Sequence, residues 1–108
     1  MNAWLYLAIA IVLEVGGTTA MKLSEGFTKT TPTVAMAICY VVSIAALGLA
    51  LKKIEVSVAY AIWAGVGTAV IALLGILYFK EPATLAKGVS IALIVAGVVG
   101  LHLQGGHA

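Results

Sequence analysis

The sequence predicts an all-α integral membrane protein with four transmembrane helices. Three observations predict it. Of 108 residues, 63% are hydrophobic and only 9% are charged, against about 45–50% and about 25% in an ordinary soluble domain. Nine of the ten charged side chains fall in three short clusters. Between the clusters run the charge-free stretches 30–51, 56–79 and 88–108, each long enough to cross about 30 Å of hydrocarbon at about 1.5 Å per residue. So few charges could not coat a water-soluble globule, which excludes a conventional cytosolic enzyme and a disordered chain. The net charge of +2 comes from lysine alone, with no arginine, so there is no basic patch for nucleic acid. Four spans use about 80 residues, and the chain 1–108 is expected to be one four-helix transmembrane domain with nothing outside the bilayer but turns.

Helix 1 is expected at 3–21. The chain is apolar from Met1-Asn2-Ala3-Trp4-Leu5 onward, and Lys22 is its first cation. A secretory signal needs a positive segment first, so this stretch reads as a retained span. The first cluster holds Lys22, Glu25 and Lys29 and is closed by Pro32. Helix 2 follows at 32–51, then Lys52-Lys53-Ile54-Glu55, then helix 3 at 57–79. The third cluster runs from Lys80-Glu81-Pro82 to Lys87, and helix 4 is expected at 85–104 with a frayed tail beyond. Both prolines lie at turns, where a helix can open at low cost. Continuous apolarity over about 20 residues excludes barrel strands, which alternate over about 10. Lys22, Lys29, Lys80 and Lys87 lie on one side and Lys52 and Lys53 on the other. That difference is a weak orienting signal, consistent with insertion in either direction or with a single orientation.

Glu14 is the tenth charge, and it sits well inside helix 1. A carboxylate at membrane depth is costly, and such acids usually mark ion or proton paths. Lys22 is eight residues on, about 12 Å along the axis, too far to pair with it directly. Hydrocarbon disfavours the charged form, so the group is expected to hold a proton until a cation replaces it; the structural alternative is a protonated acid bonded to Thr18 or Thr19. Leu7, Ala10, Gly17, Thr18 and Met21 share its helix face. The small members leave a recess that admits either a ligand or a neighbouring helix.

Tyr60 and Trp63 are three residues apart on helix 3, with Tyr40 deep in helix 2. Indole faces attract organic cations, more strongly where water is excluded; packing of the bundle core is the other use for these rings. Trp4 and Tyr6 read as an interfacial belt. Gly65-Val66-Gly67 weakens helix 3 by about 1 kcal/mol per glycine, consistent with a hinge or with a tight helix contact. Helix 4 carries small residues at Gly88, Ala92, Ala96 and Gly100, with Ser90 and Gly97 on roughly the opposite face, and reads as an assembly element. Cys39, the one cysteine, reads as packing, and His102 and His107 as interfacial or tail residues. No cluster suggests a metal, and no nucleophile–base pair suggests an enzyme.

Two stretches carry a resemblance that covers essentially the whole chain. They are Leu13-Glu14-Val15-Gly16-Gly17-Thr18-Thr19-Ala20-Met21-Lys22 with Ser24-Glu25-Gly26-Phe27-Thr28, and Ala59-Tyr60-Ala61-Ile62-Trp63-Ala64-Gly65-Val66-Gly67. Phe79-Lys80-Glu81-Pro82 adds to them. The sequence resembles the small multidrug resistance transporters, in their quaternary-ammonium branch. The resemblance implies an antiparallel homodimer of oppositely inserted copies in the inner (plasma) membrane, exporting hydrophobic organic cations in exchange for protons. It implies no cofactor, only the proton gradient. Carried over residue by residue, Glu14 binds proton or substrate. Trp63, Tyr60, Tyr40, Leu7, Ala10, Gly17 and Thr18 form the pocket, Gly65 and Gly67 the hinge, and Ser90 and Gly97 the dimer contact. Gly16-Gly17-Thr18-Thr19 after the glutamate favours a roomy drug site over the narrower one of a guanidinium-exporting sister branch. The remaining readings are a guanidinium or polyamine exporter of the same fold, and a small oligomeric pore or structural subunit.

Overall fold

The computed structural model describes residues 2–105. His107 and the end of the expected frayed tail lie outside them. Four helices, α1 (Ala3–Leu23), α2 (Thr30–Ala50), α3 (Val56–Leu77) and α4 (Leu85–Gly105), account for nearly all of the described chain. Each is long and apolar enough to cross a membrane. The chain is therefore a multi-pass membrane protein.

The helix ends follow local chemistry. Asn2 caps α1, its side chain accepting from the Trp4 N–H at 2.7 Å. Ser24, fully buried, ends it: its Oγ donates to the Met21 carbonyl at 2.7 Å and accepts from the Phe27 N–H at 3.0 Å. That anchor holds a turn in which Glu25, Gly26 and Phe27 all have positive φ, a conformation only glycine adopts freely. Lys29 bonds the Glu25 carboxylate at 2.8 Å and holds that carboxyl below the ordinary glutamate range. The depressed value means the pair is intact at neutral pH and is lost only as pH falls through it. Helix α2 opens two residues before Pro32, because a proline in the first turn lacks only an N–H that would have had no intrahelical partner. Helix α3 ends at Leu77 rather than 79. There the chain reverses through Lys80 in the left-handed region, and the Glu81 N–H returns to the Gly75 carbonyl at 2.9 Å.

Helix α1 packs on α2 and on α3, and α3 carries α4. Leu7, Ile11, Ala50, Ile54, Val58, Ala59 and Ile62 form the buried core, gathered toward the end that holds the N-terminus and the second turn. Burying such side chains yields about 1.5–3 kcal/mol each in water, but lipid is as apolar as leucine, so close packing decides the arrangement in a membrane. Ser43 contributes a directed contact, its buried Oγ donating to the Ala10 carbonyl at 2.6 Å across the α1–α2 interface. Helix α4 has no buried position among its described residues; Leu85 and Leu93 are 85% and 69% exposed.

Helix α3 runs without a break through Gly65 and Gly67. At each glycine another group comes close. A Cβ at Gly65 would fall 2.5 Å from Val98 Cγ2 and 3.2 Å from Ile94 Cγ2 of α4. Both neighbours are β-branched and stiff, and overpacking costs about 1–3 kcal/mol. Gly65→Ala is expected to lower the thermal unfolding midpoint of the detergent-solubilised protein. Gly48→Ala, with nothing within 4 Å of the new methyl, is expected to leave it unchanged or raise it by helix propensity.

Candidate functional site

Glu14 lies at mid-length of α1, half-buried, and is the one charged side chain well away from the helix ends among the described residues. Thr18 is one turn further along the same face, and its Oγ1 lies 3.0 Å from Glu14 Oε1 and 2.6 Å from the Tyr40 hydroxyl of α2. A threonine hydroxyl has a single hydrogen. When Thr18 donates it to the carboxylate, Tyr40 must donate to Thr18, so the two hydroxyls form an ordered relay that presents a donor to Glu14. Hydrogen bonds to charged groups contribute about 1.5–3 kcal/mol, so the relay fixes where the carboxyl sits and which way it points.

The other carboxylate oxygen faces α3. A Cβ at Gly67 would fall 2.7 Å from Glu14 Oε2, so the bare backbone of Gly67 gives the carboxylate its place. Around it opens a cavity of about 270 Å³, lined by Glu14 and Thr18 and by Trp63, Ala64, Gly67, Thr68 and Ile71 of α3. Thr68 turns its hydroxyl back to the Ala64 carbonyl at 2.7 Å, which leaves the acid and Thr18 as the polar groups of a largely apolar wall. The indole N–H of Trp63 is buried and has no hydrogen-bond partner among the described residues. Tyr60 meets Trp63 edge to face, ring centroids 5.5 Å apart, and is itself 58% exposed.

The residues expected at a pocket therefore divide. Glu14, Thr18 and Trp63 line the cavity together. Tyr40 reaches it through Thr18, and Tyr60 flanks it through Trp63. Gly17 does not line it; it makes room for the Tyr40 ring, which would lie 2.8 Å from a Cβ there. Leu7 and Ala10 share the Glu14 face but are buried where α1 packs on its neighbours. Ser90 and Gly97 are exposed on α4, and a Cβ at Gly97 would meet nothing within 4 Å. His102 stacks edge to face on Trp4 at 4.7 Å, joining α4 to the start of α1. Sequence reasoning did not single out Ser43, the contact of Gly67 with Glu14, or Thr68 and Ile71. The one sequence signal for Ser43 is a hydroxyl three residues after Tyr40 in an otherwise apolar run.

The fold and the site together define a four-helix membrane bundle with an acid in its first helix and an indole wall in its third. The Small Multidrug Resistance protein family matches residues 2–94, and the chain belongs to that family, one of transporters and not of enzymes. It is 49% identical to the uncharacterized membrane protein YvaE of Bacillus subtilis over 100 residues, 93% of this chain and 84% of that protein. It is 44% identical to the multidrug resistance protein EbrB of the same organism over 108 residues, 100% of this chain and 92% of EbrB. It is 42% identical to NepA, a subunit of a nicotine metabolites export pump in Paenarthrobacter nicotinovorans, over 107 residues, 99% of this chain and 92% of NepA.

Proposed function

We propose that two oppositely oriented copies of this chain form a homodimer that exports lipophilic organic cations, quaternary ammonium compounds among them, in exchange for protons at Glu14. Membership of the family, with a relative named for multidrug resistance, supports a multidrug exporter. The observation that carries the finer reading is the carboxylate of Glu14 on an apolar cavity walled by Trp63. Its charge binds a cation or a proton, and the two compete because one carboxylate cannot neutralise both. The indole face adds a non-directional attraction, which tolerates many cation shapes. No cofactor is needed, because the proton gradient supplies the drive.

Two features support the dimer. About 270 Å³ falls below the roughly 300–1,000 Å³ of ligand pockets, and a second copy facing the first would enlarge it. Helix α4 buries none of its described residues within one copy, and its small residues allow a close helix contact at Ser90 and Gly97. The drive has a definite size. One pH unit supplies about 1.4 kcal/mol per proton, and 100 mV adds about 2.3 kcal/mol per net charge moved. Two protons entering for each monovalent cation would let both terms favour export.

The test is proton release and competition on the purified protein. Tetraphenylphosphonium binding is expected to release protons into weakly buffered solution, and guanidinium is expected to displace it poorly. Selective, tight guanidinium binding would move the reading to a small-cation exporter. Binding of tetraphenylphosphonium without proton release at any pH would remove the exchange.

A further inference from the structure

Two further cavities lie between the cavity at Glu14 and the membrane face that carries the first and third turns. A second cavity of about 200 Å³ shares Thr18 and Ile71 with it and runs between the ends of α1 and α3, past Lys22 to Phe79 and Glu81. A third, of about 690 Å³, shares Lys22 and Phe79 with the second and opens at the first turn beside Glu25 and Phe27. In the opposite direction Leu7, Ile11, Val58 and Ile62 close the bundle. Cavities that share lining residues thus succeed one another from the acid to the face that carries the first and third turns.

Glu81 is held at this passage by the backbone. Lys80 adopts a positive φ of 57°, and the reversal returns the Glu81 N–H to the Gly75 carbonyl at 2.9 Å. The Glu81 carboxylate then occupies the space that a Cβ at position 75 would need. Lys87 Nζ donates to the Pro82 carbonyl at 2.7 Å and steadies the same turn. Lys22 faces Glu81 from α1 across the second cavity, and the two form no ion pair; among the described residues the one such pair is Lys29–Glu25. That pair neutralises itself at the outer rim, Lys87 is engaged, and Lys80 lines none of the three cavities. Lys22 and Glu81 are left as the charged groups of the passage wall.

We propose that Lys22 and Glu81 form the charged mouth through which organic cations reach and leave Glu14, Glu81 attracting the cation and Lys22 opposing it. The proposal rests on Glu14 being the cation site. A low-dielectric cleft focuses the field of its wall charges and alters association rates by about 10–10³-fold, while leaving the deep site chemically unchanged. In an antiparallel dimer each membrane face would carry one such mouth.

The experiment follows tetraphenylphosphonium association by stopped-flow tryptophan fluorescence, with the protein in nanodiscs of zwitterionic lipid. At about 10 mM salt Glu81→Gln is expected to slow association about threefold to tenfold and Lys22→Gln to accelerate it. Both differences are expected to shrink at about 0.5 M salt, as the Debye length falls from about 30 Å toward 3 Å. A folding defect would slow both variants and lower the amplitude, so the opposite signs isolate the charge effect. Association at the wild-type rate in both variants at low salt, with Glu14-dependent binding intact, would overturn the mouth and leave the deep site standing. Saturable binding retained in Glu14→Gln would overturn the site itself, and the mouth with it.

Discussion

Glu14→Gln is expected to abolish proton-driven export of a quaternary ammonium cation from liposomes with an imposed pH gradient, and to abolish proton release on binding. Glutamine keeps the shape of the side chain and can still accept from Thr18, whose Oγ1 lies 3.0 Å from Glu14 Oε1. The helix is therefore expected to form as before, and the loss to come from charge alone. A desolvated cation left without its counter-ion costs about 3–5 kcal/mol. At about 1.4 kcal/mol per decade, affinity falls by at least a hundredfold. Equilibrium binding of tetraphenylphosphonium measures the first effect, and a pH electrode in unbuffered solution the second. Glu14→Asp is expected to retain exchange at reduced affinity, because the shorter side chain keeps the charge but withdraws it from Thr18 and from the cavity. Export by Glu14→Gln at the wild-type rate would take this residue out of the mechanism.

Gly67→Ala is the second large effect, and it separates the site from the fold. The new methyl would fall 2.7 Å from Glu14 Oε2, so the carboxylate must move by several tenths of an ångström. For the fold this is cheap, since the displaced group is the far end of a flexible side chain, and alanine in place of glycine gains about 1 kcal/mol of helix propensity. For the site it is expensive, because the carboxylate leaves the position from which it meets both the Thr18 hydroxyl and the cation. A misplacement of about 1 Å costs about a hundredfold in a positioned site, and one of several tenths of an ångström correspondingly less. Thermal unfolding is expected to be unchanged or improved while cation affinity falls at least tenfold. The contrast with Gly65→Ala is direct: there the obstructing atoms are Val98 and Ile94 on α4, so stability is lost. Wild-type affinity in Gly67→Ala would mean that Glu14 does not act from this position.

Much of the architecture is legible in the charge pattern, for a physical reason. Lysine and glutamate cannot stay in hydrocarbon unpaired, so their clusters at 22–29, 52–55 and 80–87 mark the turns before any contact is known. The helix ends then deviate by about two residues, where capping decides them: Pro32 falls inside the first turn of α2, and the return of Glu81 to Gly75 ends α3 early. Glu14 announces itself by the cost of its burial and Trp63 by its spacing from Tyr60. Thr18 follows from its place one turn from the acid. The relay through Tyr40 joins residues 22 apart, and the clasp of Ser43 on Ala10 residues 33 apart. Both depend on how α2 is rolled about its axis. A nearly uniform apolar helix carries no periodic signal that sets that roll, because lipid and helix interior are equally apolar.

The same reasoning explains Leu7 and Ala10. On a helical wheel they belong with Glu14, yet α1 buries them against its neighbours one or two turns before the cavity opens. A wheel records direction around the axis and says nothing of which neighbour lies at which height.

The amino-acid order alone determined that four helices cross a membrane, where they turn, and that one carboxyl is stranded among apolar side chains. Partition between water and hydrocarbon acts on each residue wherever its partners are, so composition is enough. Tertiary structure alone decided that Gly67 seats the carboxylate, that Tyr40 reaches it through Thr18, and that Lys22 and Glu81 line a neighbouring cavity while Leu7 is buried in the core. Those outcomes depend on which helix surfaces meet, and van der Waals contact between surfaces of equal polarity is a matter of shape that becomes readable only once the helices are packed.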